Sequence, residues 1–233
     1  MGIRHKAVKE TLEKGTHEEW NDDHEVNYQA VIHHQDIFLD FGTIAEWNAA
    51  QNTSGTNPTI TLVGGFVCAR LAATGGVGNF GTIRHELVGA AADITNHTAQ
   101  PILHMALDIQ TPTADNATHE FGFMANAGLP FAANQNGAFF RIDNNVLFAV
   151  SSDGAAETTT DLGAPNQFGN YKVKHTATAD TFFVDDNETP VATHTTNISA
   201  ADLTIKLTCA DRAAGDNYLN CQATCLCTLR QTA

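Results

Sequence analysis

From about Asp36 to the C-terminus the chain is written as short apolar runs, each cut off by Gly, Asn, Asp or Pro, with no long stretch of helical periodicity between them. Runs of this length, rich in β-branched and aromatic residues and bounded by turn formers, are strands; without intervening helices to act as crossovers, neighbouring strands must pair antiparallel. The expected strands are Ile37 to Phe41, Thr59 to Arg70, Thr82 to Val88, Ile102 to Gln110, Glu120 to Ala125 and Ala138 to Ile142. They continue at Leu147 to Ser151, Tyr171 to Thr176, Thr181 to Val184, Val191 to Thr195, Leu203 to Cys209 and Tyr218 to Leu229. The expectation is all-β.

Turn chemistry supports hairpins. Asp143-Asn144-Asn145 separates two apolar runs, and Asp185-Asp186-Asn187 follows another; Asn and Asp tolerate the positive φ that tight hairpins demand. Alternation assigns faces. In Tyr171-Lys172-Val173-Lys174-His175 the odd positions share a buried face and the lysines a solvated one, and Ile205, Leu207 and Cys209 form the inward set of their strand. At 233 residues the chain is long enough for one sandwich, since all-β domains of about 200–250 residues are routine.

The first thirty residues differ. They are charged, carry histidines, and lack β-branched runs. Ala7 to Lys14 has room for two helical turns with Val8 and Leu12 four apart, too short to stand alone. Residues 1–30 are therefore read as a docking segment and 31–233 as the β domain. Val8, Leu12, Trp20, Val26 and Tyr28 are its candidate docking residues; burying each contributes about 1.5–3 kcal/mol before ordering costs.

A net charge of −14 excludes a sequence-independent grip on nucleic acid, which needs clustered Lys and Arg. Lys6, Lys9 and Lys14 lie among Glu10, Glu13, Glu18 and Glu19 and read as a solvated face. The start lacks the apolar core of a secretory signal, and Leu62 to Val77, the most apolar stretch, is interrupted by Arg70 and Gly, so membrane insertion is not expected. Of five cysteines, Cys221, Cys225 and Cys227 lack both paired C-x-x-C spacing and downstream histidines; buried reduced thiols are the reading.

Ile3-Arg4-His5-Lys6 together with Glu19-Trp20-Asn21-Asp22-Asp23-His24-Glu25-Val26 resembles a short N-terminal element of phage and archaeal-virus tail, fibre and head-surface proteins. From about Ile102 onward the order of parts resembles the concanavalin A-like jelly roll in its LamG-like form. The parts are Glu120 to Ala125, Gly137 to Ile142, Glu157 to Gly163, Tyr171 to Val173, Thr181 to Asp186 and Val191 to Ile198. The second resemblance implies two antiparallel sheets, often with a carbohydrate or protein surface on the concave face.

Catalysis is not expected. A glycoside hydrolase of that superfamily should carry acids two apart on one face of a strand, and no Glu-x-Asp-x-Glu run occurs. No G-x-S-x-G is present, and Gly75-Gly76-Val77-Gly78 lacks the lysine of a phosphate loop. His33-His34 with Asp36, and His17 with His24, read as ordinary polar histidines because adjacent side chains in an extended segment diverge. Calcium at Asp185, Asp186, Asn187 and Glu188 is the secondary reading of a cluster that a hairpin turn already explains. No cofactor is expected.

The expected role is that of a virion structural protein, made in the host cytoplasm: a tail, fibre or capsid-surface component displaying a lectin-like jelly roll. Its expected partners are further copies of itself, as a trimer by analogy with viral spikes, other virion proteins, and host-surface glycans. A stand-alone carbohydrate-binding module is the alternative.

Overall fold

The computed structural model describes residues 34–40, 49–52, 59–63, 66–73, 80–85, 101–108, 117–125, 134–166, 168–185, 187–201, 203–211 and 217–230. These form strands and their connections, with no helix among the described residues. In order they are β1 (His34–Asp40), β2 (Ala49–Asn52), β3 (Thr59–Val63), β4 (Phe66–Ala73), β5 (Phe80–His85), β6 (Ile102–Asp108), β7 (Ala117–Ala125) and β8 (Gly137–Asp143). Then come β9 (Val146–Ser152), β10 (Glu157–Asp161), β11 (Phe168–His175), β12 (Asp180–Val184), β13 (Ala192–His194), β14 (Leu203–Asp211) and β15 (Asn217–Arg230).

Two antiparallel sheets result. One runs β13-β12-β11-β6-β15-β4-β3, with β1 also paired to β15; the other runs β10-β9-β8-β7-β14-β5-β2. The long β15 serves two neighbours on one side, pairing with β4 through Asn217–Gln222 and with β1 through Thr224–Arg230. Against β6 its register shifts between Cys221 and Cys225.

The core lies between the sheets. Leu103, Met105, Leu107, Tyr171, Val173 and Phe182 come from the eight-stranded sheet; Phe121, Phe123, Phe140, Ile142, Ile205 and Leu207 face them from the other. Its centre is aromatic: the Tyr171 ring meets Phe121 at 4.8 Å and Phe140 at 5.2 Å edge-on, and Phe182 meets Phe140 at 5.4 Å. Such rings prefer this geometry because a ring's positive edge is drawn to a neighbour's negative face.

The all-β expectation holds, and so does the first predicted hairpin. Asn144 and Asn145 adopt φ of 47° and 60°, joining β8 to β9 with both central residues left-handed. Tyr171, Val173 and His175 are buried as read. Three details differ. Thr59 to Arg70 is two strands, because Val63 pairs with Phe66 across the intervening Gly64-Gly65, a sequence suited to a tight hairpin loop. Strands β2 and β10 were not expected, being polar edge strands without an apolar run. Finally, β14 is buried on both faces: Thr204, Lys206 and Thr208 are 7%, 3% and 0% exposed.

Candidate functional site

That doubly buried region defines the site. On β7 the core-facing residues are Phe121 and Phe123, so alternation sends Thr118, Glu120, Gly122 and Met124 to the outer face of the seven-stranded sheet. Register carries this face across the sheet: Thr82, Thr208, Glu120 and Arg141 stand in one row, and Arg84, Lys206, Gly122 and Phe139 in the next. Met124, Phe139 and Val150 pack together here, with Phe148 against them.

Charges sit within this buried face. Glu120 is fully buried, and its Oε1 accepts from Arg141 Nε at 2.8 Å. The guanidinium also forks onto Glu157, with Nη1 to Oε2 at 2.8 Å and Nη2 to Oε1 at 3.1 Å. Glu157 Oε1 accepts a further bond from the Asn134 backbone N–H at 3.2 Å. Arg141 thus joins β7, β8 and β10, and its planar fork is suited to such bidentate contact. Its Cζ lies 5.3 Å from the centroid of the Phe139 ring.

The electrostatics follow from these placements. Burial works against the charge on Arg141, yet Glu157 and Glu120 outweigh it and raise the guanidinium pKa. Burial also lowers the pKa of Lys206; Glu120 opposes that shift and Arg84 adds to it. Beside them Thr82 Oγ1 donates to the Leu207 carbonyl at 2.9 Å and lies 2.8 Å from Thr208 Oγ1.

Chemically this is a lock. Both carboxylates are bonded to the one guanidinium, Glu120 through Nε and Glu157 through Nη1 and Nη2. The outer face of β7 carries one acid, flanked two residues away by Thr118 and Gly122, so the same-strand pair of acids that glycoside hydrolysis would use is not found there.

The residues singled out from sequence lie elsewhere. Val8, Leu12, Trp20, Val26 and Tyr28 fall outside the described residues, as does Asp186. Asp185 has φ 56° and accepts from Asn166 Nδ2 at 2.7 Å, while Asn187 Oδ1 accepts from the Thr189 N–H at 3.0 Å. These oxygens serve a turn. Among the described residues no three His, Cys, Asp or Glu side chains are gathered to hold a metal. Cys209 is fully buried, on the inward face that alternation assigned to it. Sequence reading passed over Glu120, Arg141, Glu157 and Lys206. Only Arg141 carried a signal, a lone charge inside the otherwise apolar run Phe139-Phe140-Arg141-Ile142, because a buried charge requires a partner.

No family model matches the sequence, and no curated protein matches it. Solved structures do. A native glycosidic hydrolase superposes with a TM-score of 0.55 at 12% identity, covering 85% of this chain and 97% of that one. The β-glucanase of Bacillus licheniformis gives 0.51 at 11%, covering 85% and 98%. The fold is a concanavalin A-like jelly roll. At such identities the likeness is one of architecture, and the jelly roll here carries the Arg141-locked acids described above.

Proposed function

We propose that this jelly roll is a non-catalytic, lectin-like recognition module, displayed by a larger assembly to which residues 1–30 attach it. The observation that carries the reading is the Arg141 lock: the acids on the outer face of the seven-stranded sheet are tied to each other through one guanidinium. A fold shared with hydrolases is here fitted for holding its shape. Recognition has a candidate surface on β11, where Phe168 is 62% exposed and shares the solvent face with Asn170 two residues on. An aromatic ring with its face open to solvent is able to stack on a sugar. For the assembly, the opening's resemblance to N-terminal elements of viral tail, fibre and head-surface proteins favours a virus particle.

The test is a glycan array with the full chain, run beside a polysaccharide hydrolysis assay. Selective binding, at least tenfold weaker in Phe168→Ala, with no hydrolysis, is expected. A blank array would remove the recognition role. Hydrolysis that disappears in Glu120→Gln would overturn the non-catalytic reading.

A further inference from the structure

Along one flank the edges of the two sheets, β13 and β10, lie side by side and are hydrogen-bonded to each other through side chains. Thr158 Oγ1 is 2.8 Å from Thr196 Oγ1, and Asn197 Nδ2 donates to Thr158 Oγ1 at 3.0 Å. Between them sits the ring of His194, with Nδ1 2.9 Å from Ser151 Oγ on β9 and Nε2 2.9 Å from Thr160 Oγ1 on β10. Within this seam His194 is the titratable bridge; the other contacts join neutral groups.

The groups facing His194 come from four strands. Asp180 on β12 is its cross-strand partner, fully buried, with Oδ1 2.6 Å from His175 Nδ1 on β11 and Oδ2 lacking a hydrogen-bond partner. Strands β9 and β10 contribute the hydroxyls of Ser151 and Thr160, and the Phe182 ring lies 5.2 Å away. Glu157 and Asp161 alternate with Thr160 and so occupy the opposite face of β10.

We propose that this seam is an acid-opened latch: neutral His194 ties β13 to β9 and β10, and proton uptake by its ring releases β13 and leaves β12 as the sheet edge. A neutral imidazole has one donor and one acceptor, and each hydroxyl can take the complementary role, so either tautomer is satisfied. A protonated ring can donate to both hydroxyls but must carry its charge in a nearly closed space, 4% exposed, where the side chain of Asp180 bonds His175 through Oδ1 and makes no hydrogen bond to His194. Burial lowers the His194 pKa, and the opposing attraction of Asp180 does not reverse that. The closed seam therefore binds its proton less readily than the open one. Its stability is complete above 6.5, the ordinary histidine value, and is lost as pH falls below it. Only three residue pairs hold β13 to β12, so this edge can open while the rest stays folded.

Native-state hydrogen exchange on the full chain tests the latch. Reporters are the β13 amides and Val191, whose N–H donates to the Phe182 carbonyl at 2.8 Å; β7 and β8 amides report global unfolding. After correction for intrinsic exchange, reporter protection should fall by up to about tenfold per pH unit between pH 6.5 and the midpoint of the closed His194 ring, and the β7 and β8 amides should remain the better protected throughout. In His194→Gln it should be flat. The same fall in the variant, or no fall in the parent protein, overturns the proposal. An NMR titration of the His194 ring decides independently of the variant's folding: a midpoint below 6.5 supports the latch, and one at or above it overturns it.

Discussion

His119 is fully buried on the core side of β7, between Ile142 and Cys209 on the adjacent strands, and neither ring nitrogen has a hydrogen-bond partner. Burial pushes its pKa down from 6.5 to about 4. Between those values the unfolded chain holds a proton that the folded one refuses, so the stability linked to His119 is full above 6.5 and drains away as pH falls to about 4. At about 1.4 kcal/mol per pKa unit, the loss by pH 4.5 is about 2–3 kcal/mol. Replacing His119 with Leu should leave stability at pH 7.5 unchanged or raise it by about 1 kcal/mol, since an orphaned polar group is removed. It should also recover most of the acid loss. Urea denaturation of both proteins at pH 7.5 and 4.5 measures this, and equal acid losses would show that His119 is not the responsible group. Nothing in Ala117-Thr118-His119-Glu120 marks the histidine as interior, because both it and Glu120 look polar until register assigns one to each face.

At the scale of the strand, Gly122 sets how closely β7 approaches β8. Its φ is 149°, and a Cβ there would lie 2.7 Å from the Phe139 Cα and 2.8 Å from the Ala138 carbonyl oxygen. Those atoms are backbone and cannot swing aside. Gly122→Ala should cost on the order of 3 kcal/mol from overpacking and strain together, seen as a fall in Tm of about 6–12 °C. A Tm within 2 °C of the parent would mean that the strands yield more easily than their packing implies. The strands that alternation and turn chemistry foretold are the ones with an apolar inward face, such as β11 and β14, and the hairpin at Asn144-Asn145. Strand β10 was opaque because Thr158-Thr159-Thr160 has no apolar alternation and owes its strand state to pairing with β9. The site was opaque for a related reason: Glu120, Arg141 and Glu157 are separated by 21 and 16 positions, and only strand register brings them together.

At the scale of the molecule, the apolar side chains of residues 1–30 need a surface to leave water, and we expect neighbouring copies to supply it. The full chain should scatter light as a homo-oligomer, a trimer by our expectation, and the chain lacking residues 1–30 as a folded monomer. Monomers in both forms at micromolar concentration, or oligomers in both, would refute the docking role. Each of the two sheets is divided by one late strand. In one, β14 joins the β7–β10 block to β5 and β2; in the other, β15 joins β6 and β11–β13 to β4, β3 and β1. A nascent chain must therefore bring β14 and β15 clear of the ribosome before either half finds the other. Until then the strands on either side of each gap, β7 and β5, β6 and β4, wait with unpaired edges in a crowded cell. For this protein, the sandwich cannot close until these two late strands arrive, and the interval before they do is when it most needs a chaperone.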